Sequence, residues 1–333
     1  MSGSSQAESC REPGDVPSHP QQLSRNPLSP PSPPTGWQRV SPTGSPVRAM
    51  YHKSLVPQHT IEALLDVARE RVAAFDDLLV CFSHGAAGLH RLNALWRAAK
   101  GPTAPPLTRA AFTSGTSCVG RAISLALATA GVLNYSTSLQ LYADELPDVL
   151  RPLEQQLLHA EGLKPELGGK WQLTQYRAGQ GGYTQHTDCS AASQPAKPFE
   201  RTATALLYLT SLAAGDGGET IFPRLGLTIR PVAGAALIFH SLAEGRCLAE
   251  SIHEGAAVRA GAEVDKYILQ RWYMRARYPM LGQRPDMHIP LPARSERTAR
   301  VSCGDGEGQC RWYDEWDPHH LSEFNAWRAQ SSV

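Results

Sequence analysis

Five residues in the second half of the chain have side chains that together could bind one metal ion and one dicarboxylic acid. His186 and Asp188 lie in the string GGYTQHTD, His253 lies in SIHEG, and Lys266 and Trp272 lie in KYILQRWYM. If GGYTQHTD runs into a β-strand, His186 and Asp188 are two residues apart and point to the same face. His253 is then the candidate for a third metal ligand from elsewhere in the fold.

Two neutral imidazoles and one carboxylate leave three positions of an octahedron open, which is the arrangement of non-haem Fe(II) oxygenases. A structural zinc site would close its coordination shell with protein ligands instead. A single His-x-Asp triplet is weak evidence, because twelve histidines in 333 residues produce one by chance in roughly one of two or three such chains. The interpretation therefore depends on the strings around the triplet.

The stretch from Trp171 to Met274 resembles the catalytic domain of the prolyl 4-hydroxylase group of 2-oxoglutarate- and Fe(II)-dependent dioxygenases. Five strings match that family in the right order: QYRAGQGGYTQHTD, RTATALLYL, GGETIFP, RPVAGAALIFH and IHEGAAV. The match covers about a third of the chain. Five ordered matches are far more specific than the triplet alone.

Carried over residue by residue, the resemblance implies three iron ligands, which are His186, Asp188 and His253. It also implies that Lys266 pairs with the far carboxylate of 2-oxoglutarate, with Tyr176 and Thr204 as hydrogen-bonding helpers. A buried dicarboxylate needs such a cation and such hydroxyls, because an unpaired buried charge is very costly. The implied cofactors are Fe(II), 2-oxoglutarate and ascorbate, and dioxygen is the second cosubstrate.

The implied reaction hydroxylates a C–H bond, most simply of a prolyl residue in a peptide or protein, and releases succinate and carbon dioxide. A free amino acid or another small molecule is an alternative substrate, and a catalytically inactive β-helix scaffold is an alternative function. Tyr183, Trp272 and the loop 191–200 are candidates for the substrate rim. Cys189 is close to the ligands in sequence, but we assign it no role.

The sequence departs from the family pattern at the cosubstrate cation. The usual interval after His253 ends on Glu263, whose negative charge would repel 2-oxoglutarate. Lys266 keeps the family's spacing to Trp272, and it alternates with the residues that share one strand face. A short insertion in the GAEVD turn therefore explains the pattern best, and the alternative is that Arg271 pairs with the acid.

A second departure is an extra residue between Tyr176 and Tyr183. The paired Gly181 and Gly182 can absorb it as a bulge.

Composition excludes several classes of function. A net charge of +1 suggests no electrostatic attraction to nucleic acid or to anionic lipid. We see no run long enough to span a membrane and no apolar core of a signal peptide. Seven scattered cysteines, an odd number, favour a reducing compartment, so we expect a cytoplasmic or nuclear protein.

Four regions follow one another along the chain. Residues 1–48 are rich in Pro and Ser, with PLSPPSPP at the centre, and we expect them to be disordered. Three interpretations of this segment are open: a tail with no binding role, a polyproline ligand for a partner domain, or a substrate of the chain's own site. We interpret 49–170 as a helical supporting region, 171–277 as the dioxygenase domain and 278–333 as a C-terminal extension.

Periodicity predicts a mainly β fold with flanking helices, whose catalytic core is an antiparallel double-stranded β-helix, or jelly roll. Short strands are expected at WQLTQY, TATALLYL, LTIRPV, AALIFH and KYILQRWYM. Three apolar stripes at helical spacing predict helices that brace the outside of the sheet. Their members are Ile61, Leu64, Leu65, Ala68, Val72 and Phe75; Leu89, Leu92 and Trp96, ended by Gly101; and Leu146, Val149, Leu150, Leu153 and Leu157, strained by Pro152.

The C-terminal extension has two interpretations. Cys303, Cys310, His319 and His320 form a weak candidate zinc site, because structural zinc usually uses more closely spaced pairs. The favoured interpretation is that aromatic residues dock the extension onto the domain or form a partner-binding segment. Those residues are Trp312, Tyr313, Trp316, Phe324 and Trp327.

Overall fold

The computed structural model describes residues 35–72, 78–82, 85–189, 200–277, 282, 299–303 and 310–313. The strands are β1 Trp37–Arg39, β2 Ala49–His52, β3 Leu78–Phe82, β4 Tyr135–Leu141, β5 Trp171–Tyr176, β6 Tyr183–His186, β7 Arg201–Tyr208, β8 Thr220–Phe222, β9 Leu227–Ile229, β10 Ala236–His240, β11 Leu242–Ala243, β12 Arg246–Cys247, β13 His253–Gly255, β14 Lys266–Met274, β15 Ala299–Cys303 and β16 Cys310–Tyr313. The helices are α1 Gln58–Val72, α2 Ala86–Lys100, α3 Arg121–Thr129 and α4 Pro147–Glu161. Single 3₁₀ turns occupy Arg109–Ala111, Pro165–Leu167, Pro223–Leu225 and Ala249–Ser251.

The described strands form a large sheet, a small sheet and a two-stranded ribbon. The large sheet has the order β1-β2-β10-β7-β14-β5-β4-β16-β15-β3, and the small sheet has the order β6-β13-β8-β9. The ribbon is β11-β12. The strands predicted at WQLTQY and KYILQRWYM are β5 and β14, and both have the predicted bounds. Strand β7 is shifted by one residue from the predicted TATALLYL. Strands β9 and β10 lie inside the predicted strings LTIRPV and AALIFH.

The two sheets pack face to face. The Phe239 ring on β10 of the large sheet lies 5.1 Å from the Phe222 ring on β8 of the small sheet. It also lies 4.7 Å from the His253 ring on β13. Two facing sheets of this order form the double-stranded β-helix core, so the predicted fold class is confirmed.

Alternation along the strands gives the large sheet two different apolar faces. Leu206 and Ile268 belong to the cluster between the sheets, whereas their neighbours Leu207 and Leu269 belong to the cluster under the helices. Successive strand residues point to opposite faces, so one strand serves both clusters. The inner face is therefore free to carry a site while the outer face carries most of the core.

The helices cover the outer face with the predicted apolar stripes. Leu150, Leu153 and Leu157 on α4 are buried in the outer cluster. Pro152 lies inside α4, in its second turn, without ending the helix, so the helix forgoes one backbone hydrogen bond there. Gly101 ends α2 as predicted, whereas Phe75 lies outside the described residues. None of the described helices is long and apolar enough to cross a membrane.

The prediction that 49–170 is only helical was incomplete. That region also contributes β2, β3 and β4 to the large sheet, and the C-terminal extension contributes β15 and β16. β15 pairs with β3 and β16 pairs with β4, both in parallel, so the sheet is not antiparallel throughout. The short strands of both regions lack the alternation that marks a half-buried strand. The domain boundaries and the interpretations of the Pro-rich tail stay predictions, because residues 1–34 lie outside the described part of the chain.

The expectation of unpaired cysteines was wrong for six of the seven. Disulfides join Cys81 to Cys118, Cys189 to Cys247 and Cys303 to Cys310. Two of these pairs are separated by 37 and 58 positions, intervals that sequence spacing does not reveal. Because disulfides persist mainly in oxidising compartments, the expected cytoplasmic or nuclear location loses one of its grounds.

The zinc interpretation of the C-terminal extension is also wrong. Two of its four proposed ligands, Cys303 and Cys310, are bonded to each other, so neither can supply a thiolate. His319 and His320 lie outside the described residues, as do Trp316, Phe324 and Trp327. The extension does join the domain, but through the backbone pairing of β15 and β16.

A buried ion pair ties β14 to α4 on the outer face of the large sheet. The Arg271 guanidinium donates to Glu154 Oε1 at 2.5 Å and to the carbonyl of Gly169 at 2.8 Å. Removing one partner of such a pair leaves the other charge buried and uncompensated. Arg271 therefore serves the fold.

We expect Arg271→Ala to lower the free energy of unfolding by about 3–5 kcal/mol, measured by urea denaturation followed by circular dichroism. Arg69→Ala is the matched control, because Arg69 and its partner Asp66 are 68% and 71% exposed, and it should cost at most about 1 kcal/mol. A loss for Arg271→Ala no larger than that of the control would contradict this role.

Candidate functional site

A cavity lies between the two sheets, and alternate residues of β14 form one of its walls. Lys266, Ile268, Gln270 and Trp272 all line it. The alternation proposed from the sequence thus corresponds to a single face of one strand. β6 and β13 of the small sheet form the opposite wall.

His186 and His253 lie side by side on that opposite wall. They are paired in register across β6 and β13, and their ring centroids are 4.3 Å apart. His186 Nδ1 is 2.9 Å from the Thr184 carbonyl, and His253 Nδ1 is 3.0 Å from the Ser251 carbonyl. A carbonyl only accepts, so each Nδ1 donates and each Nε2 keeps its lone pair for a ligand.

The electrostatic environment keeps His186 neutral. Burial, together with the neighbouring His253, lowers the pKa of His186 to about 4. A neutral imidazole is the form that binds a metal ion.

Asp188 follows β6 rather than lying in it. Strand β6 ends at His186, so our argument that both side chains alternate on one strand was wrong. Thr204 Oγ1 donates to Asp188 Oδ2 at 2.5 Å, and Arg201 lies 3.5 Å from Oδ1. Burial alone would raise the pKa of Asp188, but His253, Arg201 and His186 hold it below its usual value. The strand β7, not the pleat of β6, turns this carboxylate towards the histidines.

These three side chains can hold a metal ion together. The ligand atoms of His186, Asp188 and His253 all lie within 4.8 Å of one another. Two imidazole nitrogens and one carboxylate on one side leave positions for further ligands. Among the described residues, Cys189, Glu200 and Cys247 form another such cluster, but both of its cysteines are in one disulfide.

Lys266 is the buried cation of the cavity. It is 2% exposed, and its Nζ lies 5.3 Å from the ring centroid of Tyr176, its partner in register on β5. Burial lowers the pKa of Lys266 to about 8, while the charge of Glu219 acts in the opposite direction. It forms no ion pair with any carboxylate that the structure describes.

The structure shows which of the two candidate cations, Lys266 or Arg271, faces the cavity. Arg271 lies on the outer face, where it is paired with Glu154, and only Lys266 faces the cavity. Glu263 is exposed in the turn before β14 and does not line the cavity. The unfavourable carboxylate therefore lies outside the site, which agrees with the insertion predicted in the GAEVD turn.

The remaining predicted residues also line the cavity. Burial raises the pKa of Tyr176 to about 12, so its hydroxyl remains a donor. The Tyr183 ring lies 4.2 Å from the ring of His186, and Arg201 lies 4.2 Å from the ring centroid of Trp272. The Thr204 hydroxyl is directed at Asp188. Of the proposed rim loop, residues 191–199 lie outside the described part.

Glycines permit the close approach of the strands that carry the ligands. A Cβ atom on Gly182 would lie 2.0 Å from the carbonyl oxygen of Gly255, so only glycine allows β6 to approach β13 here. Gly217 and Gly218 of the GGET string have φ values of 76° and 75°, which favour glycine. This agrees with the tight turn that the string predicts.

Sequence reasoning missed several residues on the cavity wall. Arg201 begins the RTATALLYL string, so the resemblance offered a signal for it. Arg311 lies in the C-terminal extension, where no motif pointed to the cavity. The polar side chains from β4 and β5 were also missed, and these are Ser136, Ser138, Gln172 and Thr174.

Comparison with known proteins identifies the segment that carries the site. Residues 171–274 match the model of the 2OG-Fe(II) oxygenase superfamily. The resemblance drawn from the sequence is thereby confirmed for the part of the chain that contains His186, Asp188, His253 and Lys266.

The chain is also similar to individual proteins from several sources. A protein of Acanthamoeba polyphaga mimivirus, provisionally named a prolyl 4-hydroxylase, is 24% identical over 152 residues, which are 44% of this chain and 61% of the relative. The match thus spans less than two thirds of that relative's length.

Two solved structures overlap more loosely. The viral collagen prolyl hydroxylase of Paramecium Bursaria Chlorella virus-1, solved with 2OG, has a TM-score of 0.44 and 17% identity. The overlap covers 69% of this chain and 96% of that one. A Pseudomonas putida prolyl-4-hydroxylase has a TM-score of 0.36 and 17% identity over 72% of this chain and 92% of that one. We draw no conclusion from overlaps this loose.

The buried Lys266 predicts a pH dependence of stability in the ligand-free protein. Its folded-state pKa of about 8 lies below the unfolded value, so the unfolded chain binds more protons between about pH 8 and pH 10. We expect the free energy of unfolding to rise with pH in this window, by at most about 1.4 kcal/mol per unit. Urea denaturation of the wild type and of Lys266→Met measures it. The same slope in both proteins would contradict the prediction.

Proposed function

We propose that the protein is an Fe(II)- and 2-oxoglutarate-dependent dioxygenase that hydroxylates a prolyl residue of a peptide or protein and releases succinate and carbon dioxide. The observation that carries the proposal is the coexistence, in one cavity, of an oriented His-Asp-His set and a buried ammonium that has no carboxylate partner in the described part of the chain. The two features are complementary to a metal ion and to a dicarboxylate, respectively. A surface histidine beside an aspartate would need neither.

The donor set fits the ferrous ion. His186 and His253 would bind it through Nε2, and Asp188 would bind it through a carboxylate oxygen. Hard and borderline donors in a two-histidine, one-carboxylate arrangement suit Fe(II) and leave room for a chelating cosubstrate and dioxygen. When bound, the ion and 2-oxoglutarate supply the oxidising chemistry that dioxygen needs to hydroxylate a C–H bond.

The buried Lys266 fits the far carboxylate of 2-oxoglutarate. An ammonium presents three donors to one carboxylate end, and Tyr176 stands across from it in register. Thr204 would assist the cosubstrate through Asp188, whose Oδ2 it already contacts. An incoming dianion would also satisfy the charge that the fold leaves buried.

The rest of the chain positions these groups and keeps water away. Thr184 and Ser251 hold the two imidazoles in one tautomer through their carbonyls. Phe222 packs nearly parallel against His253 at 5.3 Å, and with Phe239 it forms an apolar wall behind the ligands. Such fixed geometry is the main contribution of the protein to this class of reaction.

A prolyl substrate is supported by the mimivirus relative, and Tyr183 and Trp272 would form the substrate rim. A free amino acid or another small molecule would use the same metal centre. An inactive scaffold is the weaker alternative, because the proposed ligands are complete and oriented. Ascorbate enters as the reductant that keeps the iron ferrous in the assay below.

We expect turnover when the protein is incubated with Fe(II), ascorbate and 2-oxoglutarate in air with a library of proline-containing peptides. The products are succinate, measured by chromatography, and a peptide heavier by one oxygen, measured by mass spectrometry. Asp188→Ala and His253→Ala should lose at least about 100-fold in rate, because each removes a metal ligand. His159→Ala is the matched control, since His159 lies on α4 outside the cavity.

Two outcomes would contradict different parts of the proposal. Turnover of free amino acids without turnover of any peptide would contradict the prolyl-peptide substrate and leave the oxygenase standing. Absence of both succinate and oxygenated product, with iron bound, would contradict the enzyme and favour the scaffold.

Binding of the cosubstrate gives a second test that needs no turnover. We expect an inert 2-oxoglutarate analogue to bind the Fe(II)-loaded protein under nitrogen, and Lys266→Ala to weaken it by about 2–5 kcal/mol, because the carboxylate loses a buried cation. Isothermal titration calorimetry measures both values. Equal affinities for wild type and Lys266→Ala would show that another group holds the acid.

A further inference from the structure

The C-terminal extension places a third cation on the cavity wall. Arg311 lies on β16, directly opposite Ser136 of β4 in the parallel pairing, and both residues line the cavity. Its guanidinium carbon is 4.1 Å from the ring centroid of Tyr183. That ring in turn lies 4.2 Å from the ring of His186, so only one aromatic ring separates Arg311 from the proposed metal centre.

The position of Arg311 is fixed by its strand. The preceding residue, Cys310, is buried, is bonded to Cys303, and donates its backbone N–H to the carbonyl of Asn134. Ser136 is small and buried, which leaves space above β4 for the longer side chain. The guanidinium is therefore held over Tyr183 by a disulfide-linked hairpin and by a cation–π contact.

Arg311 has no anionic partner among the described residues. Arg201, by comparison, is engaged with Asp188 and stacks on Trp272. Lys266 is committed by the proposed function to 2-oxoglutarate. Arg311 forms no ion pair or hydrogen bond with any described side chain, and its guanidinium lies over the ring of Tyr183.

The charged residues on the cavity wall also favour an anionic ligand. Among the described lining residues there are three cations, Lys266, Arg201 and Arg311, and two carboxylates, Asp188 and Glu254. Glu219, whose charge acts on Lys266, does not line the cavity. The ferrous ion and the 2-oxoglutarate dianion of the proposed function cancel each other, and imidazole ligands add no charge. One positive charge therefore remains on the described lining, so the space left for the substrate favours an anion.

We propose that Arg311 is a specificity-determining residue that binds a carboxylate of the substrate, and that the protein prefers a target residue with an acidic neighbour. The planar guanidinium fork matches a carboxylate in bidentate geometry. An extended peptide advances about 3.3–3.6 Å per residue. Because only the ring of Tyr183 separates Arg311 from His186, the acidic side chain that Arg311 binds should lie one or two residues from the target. The α-carboxylate of a free amino acid offers the same chemistry. This inference rests on the proposed function for its reaction, but its binding step can be measured separately.

The test compares peptides that differ only beside a central proline, with Glu, Gln or Lys at that position. Affinities are measured by fluorescence anisotropy on the protein loaded with Fe(II) and 2-oxoglutarate under nitrogen, where no turnover occurs. We expect the wild type to bind the Glu peptide at least about tenfold more tightly than the Gln peptide. The ratio should fall to about one in Arg311→Gln, invert in favour of Lys in Arg311→Glu, and be largely kept in Arg311→Lys.

Arg224→Gln is the matched control, because Arg224 is exposed on the turn Pro223–Leu225 and should keep the wild-type ratio. L-Proline and L-prolinamide, compared by calorimetry, distinguish an α-carboxylate from an acidic side chain. Thermal melts of each variant report folding, and the ratio between two peptides cancels a general loss of active protein.

The outcomes separate this inference from the proposed function. An acidic preference that depends on Arg311, without any oxygenated product in air, supports the inference and contradicts the proposed reaction. The inference is overturned if the wild type binds the Glu and Gln peptides with equal affinity and also binds L-proline and L-prolinamide with equal affinity. It is also overturned if the preference for the Glu peptide persists in Arg311→Gln. Arg311→Gln weakening the 2-oxoglutarate analogue instead of the peptide also overturns it, because the arginine would then serve the cosubstrate.

Discussion

A buried ammonium that has no carboxylate partner among the described residues is the constraint around which this cavity is organised. Lys266 is almost fully buried on β14, and burial lowers its pKa to about 8 although the charge of Glu219 acts in the opposite direction. Holding such a charge costs stability, and the fold does not remove the cost with an ion pair among the described residues. An anionic ligand removes it. The rest of the cavity, with the oriented imidazoles of His186 and His253 and the carboxylate of Asp188 opposite, is arranged to receive the other end of the same ligand.

The large sheet makes this arrangement possible because its two faces have different roles. Its outer face packs against α1 and α4 and contains the Arg271–Glu154 pair. Its inner face carries Lys266, Thr204 and Trp272. Because the side chains of one strand alternate between these faces, Arg271 and Lys266 are five residues apart yet serve opposite purposes. The same alternation explains why one cation stabilises the fold while the other remains available to a ligand.

The core of the site could be predicted because its motifs are local. Three local patterns indicate it: the glycines before His186, the RTATALLYL string of β7, and the spacing from Lys266 to Trp272. Each lies within one short string, so a single sequence is enough to recognise it. The direction of Asp188 was predicted for the wrong reason, since β7 contacts rather than strand alternation orient it. Glu263 shows the limit of counting residues, because the usual interval after His253 ends on it, yet it is exposed in the turn before β14.

Contacts between distant segments could not be predicted. Two of the three disulfides join residues 37 and 58 positions apart, and no spacing rule specifies such pairs. Arg311 reaches the cavity only because β16 pairs with β4 across 175 positions of sequence. Parallel pairing of this kind leaves no local turn signal. The C-terminal extension therefore looked like an accessory segment, whereas it forms part of the sheet and of the cavity wall.

The most direct test of this account is a crystal structure of the protein with a divalent metal ion and an inert 2-oxoglutarate analogue, collected at the metal's absorption edge. The account predicts one anomalous peak bound by His186, Asp188 and His253, with the far carboxylate of the analogue on Lys266 Nζ. A metal bound elsewhere, or an analogue whose far carboxylate contacts Arg201 or Arg311 and leaves Lys266 unpaired, would contradict it.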